Sequence, residues 1–385
     1  MNKHRSRLLS VLALSAIFLG MGSVHGEATP STAYSVSGLS KPVEILVDEF
    51  GIPHMYAQDH YDAFFAQGFN AARDRLWQID LWRRRGLGEL SAVLGSRYLE
   101  QDRASRLFLY RGDMYAEWLA YGNDAKRIAQ AFTAGINAFI DQIAQQPELL
   151  PPEFAMLDYK PARWQADDVG RIRSNGLWRN VVTEVWRAQL ACQKQLSAAA
   201  QWKQLEPSGQ TQMPAGLDPC IVPADVLDDY LLAKESVDFD PEDDPASSSH
   251  LAERFADQVL EAHRQDIGSN NWVVAPSRTS TGRPILADDP HRSHAVPSLR
   301  YVAHLVAPGL NVIGAGEPAL PGISIGHNER IAFGLTIFPI DQEDLYVYEK
   351  QDDGYKYLEH VEPFTTKQES IAVRDSKPIT VRMKF

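Results

Sequence analysis

Gly268 and Ser269 stand in Gly268-Ser269-Asn270-Asn271-Trp272, where a polar, acidic segment gives way to a β-rich one. If the bond between them were cut, Ser269 would carry a hydroxyl nucleophile and a free α-amine on one residue. Such an amine titrates at about 8 when unperturbed, so it can serve as general base near neutral pH. A Gly-Ser pair ahead of a strand is also an ordinary turn. The residues downstream bear on the choice.

His291 ends the run Asp288-Asp289-Pro290-His291. A hairpin starting at Ser269 would bring it back beside the first strand, although a histidine at a strand end is commonly a capped or surface residue. A second serine lies in Gly322-Ile323-Ser324-Ile325-Gly326, which matches the Gly-x-Ser-x-Gly nucleophile elbow. That elbow works when a strand leads in and a helix leads out. Here two prolines, Pro318 and Pro321, precede it, and the residues after it read as a turn into another strand. Asp341-Gln342-Glu343-Asp344 offers hard oxygen donors suited to Ca²⁺, or simply an acidic turn in water.

The chain of 385 residues carries a net charge of −12, with 44% hydrophobic and 23% charged residues. This is the balance of a globular protein able to bury a sizeable core. The negative charge argues against nucleic acid or an anionic membrane as partner and favours a small molecule. Lys3, Arg5 and Arg7 precede an apolar run from Leu8 to Leu19, with small residues near Gly26. Residues 1–26 read as a cleaved signal peptide, with an N-terminal anchor as the alternative. Export makes the compartment oxidising, and Cys192 and Cys220 are the only two cysteines available to pair there.

Several elements must position these groups. Residues 42–57 predict two short strands around a turn at Glu49–Gly51. Phe65, Phe69, Ala72, Leu76 and Ile79 recur at helical spacing and predict a buried helix face, with Arg83–Arg85 near its end. A second helix is expected from about Asp124 to Gln146, stopped by Pro147, and further helical pattern runs through Arg171–Leu196. From about Glu206 prolines, glycines and acids leave little to bury. After Ser269 the period shifts to two. Trp272–Ala275, a return at Pro284–Ala287, then Tyr301–Val306, Leu310–Ile313, Ile331–Ile337, Leu345–Tyr348 and Ile379–Arg382 read as strands.

Together these stretches resemble the penicillin acylase family of N-terminal-nucleophile (Ntn) hydrolases, which includes penicillin, cephalosporin and acyl-homoserine-lactone acylases. The resemblance runs from about Asp48 to Asp344. It rests on Asp48–His54, Gly68, Ala72–Asp80 and Arg84–Glu89 in the first part. In the second it rests on Gly268–Trp272, Asp289-Pro290-His291, Leu320–Gly322 and Gly326–Asn328. It implies an α+β fold with an αββα sandwich and a largely helical N-terminal chain. It also implies an exported precursor that cuts itself before Ser269 and loses a spacer to leave an α/β heterodimer. The corresponding segments are 1–26 (signal), 27–205 (helical α-subunit region), 206–268 (spacer) and 269–385 (N-terminal part of the catalytic β-subunit).

By the same resemblance Ser269 attacks the amide of an acylated small molecule such as a β-lactam or an acyl-homoserine lactone. His291 assists, and the backbone N–H of Ile337 stabilises the oxyanion. Asp341, Glu343 through its carbonyl, Asp344 and Glu184 would bind one structural Ca²⁺. Trp178, Arg292, Ile325 and Leu335 are expected along the acyl pocket. The family's asparagine oxyanion donor lies further downstream than Phe385, so the chain is expected to be part of a longer precursor that neither matures nor turns over alone. Two other readings stand beside this one: an esterase using Ser324, and a non-catalytic periplasmic binding module.

Overall fold

The computed structural model describes residues 31–173, 180–199, 215–223, 225–237, 239, 268–292, 294–337 and 342–385. The expected signal peptide, Trp178, Asp341 and most of the expected spacer lie outside the described residues. Every helix and strand described belongs to one unit, Ser37–Phe385.

The first two strands form as the sequence predicts. β1 (Glu44–Val47) pairs antiparallel with β2 (Pro53–Tyr56). Asp48 ties the turn by accepting from the N–H groups of Phe50 and Ile52, each at 2.9 Å. The bond from Ile52 is the main reason its carboxyl sits below the usual carboxylate range, and His54 adds to it.

The predicted helix runs from His60 to Leu87. Asp59 caps its start by accepting from Tyr61 and Asp62, and Gly88 ends it in the left-handed conformation. Phe65, Phe69, Ala72, Leu76 and Ile79 are all buried. The second helix, Ala125–Gln145, packs against it and buries Phe132, Ile136 and Phe139. The two helices touch backbone to backbone. A methyl group at Gly68 would lie 1.9 Å from the carbonyl oxygen of Phe132, and one at Gly135 would lie 2.0 Å from that of Phe65. Only glycine permits this approach. Of the basic trio, Arg83 pairs with Asp168 at 2.8 Å and Glu89 at 2.9 Å, and Arg84 pairs with Asp80 at 2.7 Å. Both are buried, so they brace the helices from within.

Within the stretch expected to bury little, a helix forms at Asp228–Lys234 and buries Tyr230, Leu232 and Ala233. It packs on the helix Leu99–Phe108, and Arg103 grips Asp229 with two guanidinium nitrogens. The acids around it masked its apolar side. The helix Asn180–Cys192 lies further back in the chain, and a disulfide joins Cys192 to Cys220.

The strands after residue 267 are β3 (Gly268–Val274), β4 (Ile285–His291), β5 (Tyr301–Ala307), β6 (Leu310–Gly316), β7 (Ile325–His327) and β8 (Ala332–Phe333). β3 and β4 make a two-stranded ladder. The largest sheet has the order β1-β2-β5-β6-β7-β8. Its β2–β5 pairing is parallel, with His54 opposite His304, and joins a strand from before Gly268 to one from after it. The His60–Leu87 helix packs on β2 and β5. There Met55, Ala66 and Ala71 share a core with Tyr301, Ala303 and Leu305. Two strand expectations fall short. Only Ala332–Phe333 of Ile331–Ile337 pairs, and Leu345–Tyr348 joins no ladder. A further ladder pairs Thr366–Ile371 with Ile379–Lys384, extending the strand expected at Ile379–Arg382.

The fold is α+β, with helices concentrated before Gly268 and strands after Ser269. Among the described residues no helix is long and apolar enough to cross a membrane.

Candidate active site

Ser269 is the second residue of β3, and the β4 register places His291 opposite Gly268 and Pro290 opposite Ser269. The hairpin therefore brings His291 to the junction, as its spacing implied. Nε2 of His291 meets the carboxylate of Asp289 at 3.0 Å and the side-chain amide of Asn270 at 3.4 Å. The hydrogen bond to Asp289 directs the imidazole along its own strand.

The hydroxyl of Ser269 accepts a hydrogen bond from the backbone N–H of Ile337 at 2.8 Å. This explains why the apolar run Ile331–Ile337 is not a full strand. After Phe333 the chain leaves the sheet, and the Ile337 N–H turns to Ser269 instead of a ladder partner. Gly334 makes the departure possible, since a Cβ there would lie 2.2 Å from Oδ1 of Asp288. The residue expected to stabilise an oxyanion thus contacts the hydroxyl of the expected nucleophile.

Arg292 donates from Nη1 to the carbonyl oxygen of Gly268 at 2.9 Å and to that of His291 at 2.6 Å. Burial, then the neighbouring charge of Arg300, draw its basicity below the usual arginine value, and Glu317 opposes them. It remains a cation, because guanidinium does not deprotonate in proteins. Gly268 has an ordinary extended backbone. A Cβ there would find only Nδ1 of His291, at 4.0 Å, so ground-state strain or crowding does not account for glycine at this position.

Among the other expected pocket residues, Leu335 is two positions from Ile337 in the segment that reaches Ser269, and it is exposed. Ile325 is on β7, opposite Ala315 of β6. Trp178 lies outside the described residues. Ser324 precedes β7, which pairs with β6 and β8. A strand rather than a helix leads out, so the nucleophile-elbow geometry is not formed.

The expected calcium segment sits at the start of the helix Asn180–Cys192. The Asn180 amide nitrogen donates to the Glu343 carbonyl at 2.8 Å and lies 3.4 Å from Oε1 of Glu184. Its oxygen accepts from the N–H of Gln342 at 3.1 Å. The Glu343 carboxylate is held separately, by the Tyr230 hydroxyl at 2.8 Å and 3.0 Å. Oxygen donors from two distant segments, Glu184 and the Glu343 carbonyl, therefore converge on one amide. Among the described residues no three His, Cys, Asp or Glu side chains meet as a metal cluster; Asp341 lies outside them. Sequence reasoning missed Asn180 and Tyr230. Asn180 lay inside the helical pattern expected over Arg171–Leu196, so nothing in the sequence set it apart; in the structure it is the first residue of the helix.

The penicillin amidase family model matches residues 42–385. The chain belongs to the penicillin amidase family. It is 34% identical over 352 residues to the penicillin acylase 2 proenzyme of Pseudomonas sp. strain SE83, a match covering 89% of this chain and 42% of that protein. It is 26% identical over 380 residues to penicillin G acylase of Escherichia coli, covering 89% of this chain and 44% of that one. With the acyl-homoserine lactone acylase QuiP of Pseudomonas aeruginosa it shares 25% identity over 380 residues, covering 96% of this chain and 42% of the relative. This penicillin amidase family chain thus spans less than half the length of those curated relatives. A solved thermostable penicillin G acylase from Alcaligenes faecalis aligns with 45% of this chain and 98% of its own at 24% identity. The TM-score is 0.36, too low to compare the two site geometries.

Proposed function

We propose that the full-length protein is an exported acylase that cuts itself between Gly268 and Ser269. It then uses Ser269 to hydrolyse the linear amide of an acylated small molecule, a penicillin or an acyl-homoserine lactone being the classes its relatives' names suggest. The observation that carries this reading is the 2.8 Å hydrogen bond from the Ile337 N–H to the Ser269 hydroxyl. It joins two residues far apart in sequence, each suited to one half of acyl transfer.

In the mature enzyme Ser269 Oγ would attack the substrate carbonyl carbon while its α-amine takes the hydroxyl proton directly or through water. The carbonyl oxygen would become negative beside the Ile337 N–H, which would turn to it from the Ser269 hydroxyl it now holds. The amine leaves with a proton, and water then opens the ester. His291, oriented by Asp289, would assist at the junction. Arg292, Leu335, Ile325 and Trp178 would border the acyl group.

Calcium would be held by Glu184, the Glu343 carbonyl, Asp344 and Asp341, and the hard oxygen donors gathered around Asn180 fit it. The ion would lock the first chain to the second. The Cys192–Cys220 disulfide fits an oxidising compartment and so supports export. A spacer removed on maturation would start beyond Lys234, because Tyr230 and its helix are packed into the structure.

The test compares two variants of the full-length protein on acylated amides. Ser269→Ala is expected to lower turnover by on the order of 10⁴-fold or more, and Ser324→Ala to leave it near wild type. The reverse outcome would establish Ser324 as the nucleophile and sink this reading.

A further inference from the structure

We infer that Arg292 is the oxyanion donor for the maturation cut, before it has any substrate to meet. The inference rests on the self-processing reading and adds a specific group to it. In the uncut chain two donors divide the reacting atoms. The Ile337 N–H holds the Ser269 hydroxyl oxygen at 2.8 Å, and Arg292 Nη1 holds the Gly268 carbonyl oxygen at 2.9 Å.

Ser269 Oγ bonds to the Gly268 carbonyl carbon, and the carbonyl oxygen takes up negative charge against the guanidinium. When the tetrahedral centre collapses, the carbon–nitrogen bond breaks and the hydroxyl proton ends on the departing nitrogen, which becomes the Ser269 α-amine. Water then opens the ester to a Gly268 carboxylate and a free hydroxyl. A cationic donor strengthens as charge grows on the oxygen it already holds, which is how an oxyanion hole accelerates acyl transfer.

Its position is built. Arg292 follows His291 at the end of β4, opposite the start of β3, so the hairpin register fixes its backbone beside the scissile bond. Its second bond, to the His291 carbonyl at 2.6 Å, anchors the guanidinium to its own strand. Once the new Gly268 carboxylate leaves, the face of Nη1 it occupied opens to a substrate while the bond to His291 remains. One arginine then serves the chain first and the acyl group second.

The test follows cutting in time, by intact mass, in the full-length protein refolded from denaturant. Arg292→Ala is expected to slow release of the Ser269 chain by roughly 10²–10³-fold, the usual effect of losing one oxyanion donor. Arg292→Lys should recover part of the rate, and added ethylguanidinium should accelerate the Arg292→Ala protein. Cutting of Arg292→Ala at the wild-type rate overturns the inference. So does slow cutting that neither lysine nor ethylguanidinium restores, because that marks a structural role. Failure of the wild type to cut at Gly268–Ser269 counts instead against the self-processing reading.

Discussion

The regions before Gly268 and after Ser269 bury their side chains in different ways. The first has its own core, two helices crossed so closely that Gly68 and Gly135 each meet a carbonyl of the other helix. The second leaves Trp272, Val273, Ile285, Leu335 and Ile337 exposed around the candidate site. Its buried strand β5 is covered by Met55, Ala66 and Ala71 of the first region. Two strands before the junction and four after it form one sheet. The first region thus serves as a scaffold for the second, which holds the candidate site. A cut between Gly268 and Ser269 would leave the two regions joined by β2–β5 pairing and a shared core.

The scaffold half of this comparison breaks most severely at the helix crossing. Gly68→Ala places a methyl group 1.9 Å from a backbone oxygen that cannot swing aside. A loss on the order of 3 kcal/mol is expected from overpacking, read as a lower urea midpoint. A stability unchanged from wild type would mean the helices are not in backbone contact.

A smaller effect is expected where the two regions meet through polar groups. The Tyr301 hydroxyl of β5 donates to Asp74 at 2.8 Å and accepts from the Asn70 amide. Burial foremost, then the Asp74 charge, raise its pKa well beyond its usual value, so it stays a donor at all working pH. Tyr301→Phe should cost about 1–2 kcal/mol, and in a processed protein the loss should appear as easier separation of the two chains in urea. A cost below a few tenths of a kcal/mol would show that the apolar contacts alone hold the seam.

A third effect appears only as a slope with pH. Asp102 is buried and accepts from the N–H groups of Leu90 and Ser91, yet burial dominates and pushes its pKa up to about 6 from 3.8. The folded state then binds more protons than the unfolded one between those values. The contribution of Asp102 is full below pH 3.8 and is lost as pH rises through about 6. Asp102→Asn should flatten stability against pH in that window, and an unchanged slope would refute the assignment.

Legibility in sequence followed the same divide. The scaffold was readable wherever one element buries one face, as with Phe65, Phe69, Ala72, Leu76 and Ile79. The β3–β4 hairpin was readable from its alternation and its turn residues. The contacts that arm the site were not. Arg292 reaches Gly268 through cross-strand register, and Asn180 meets Gln342 and Glu343 from a distant helix. Neither leaves a periodic trace. Ile331–Ile337 alternates like a strand, but only Ala332–Phe333 pairs, and the Ile337 N–H donates to the Ser269 hydroxyl instead. The helix Asp228–Lys234 was hidden because its four apolar residues sit in a longer stretch dominated by prolines, glycines and acids.

If the junction is a cleavage site, its cut is expected to leave both regions assembled. N-terminal sequencing and intact mass of the full-length protein purified from a periplasm test it directly. The expected result is two co-purifying chains, one beginning at Ser269. A single uncut polypeptide that hydrolyses acylated amides would contradict it.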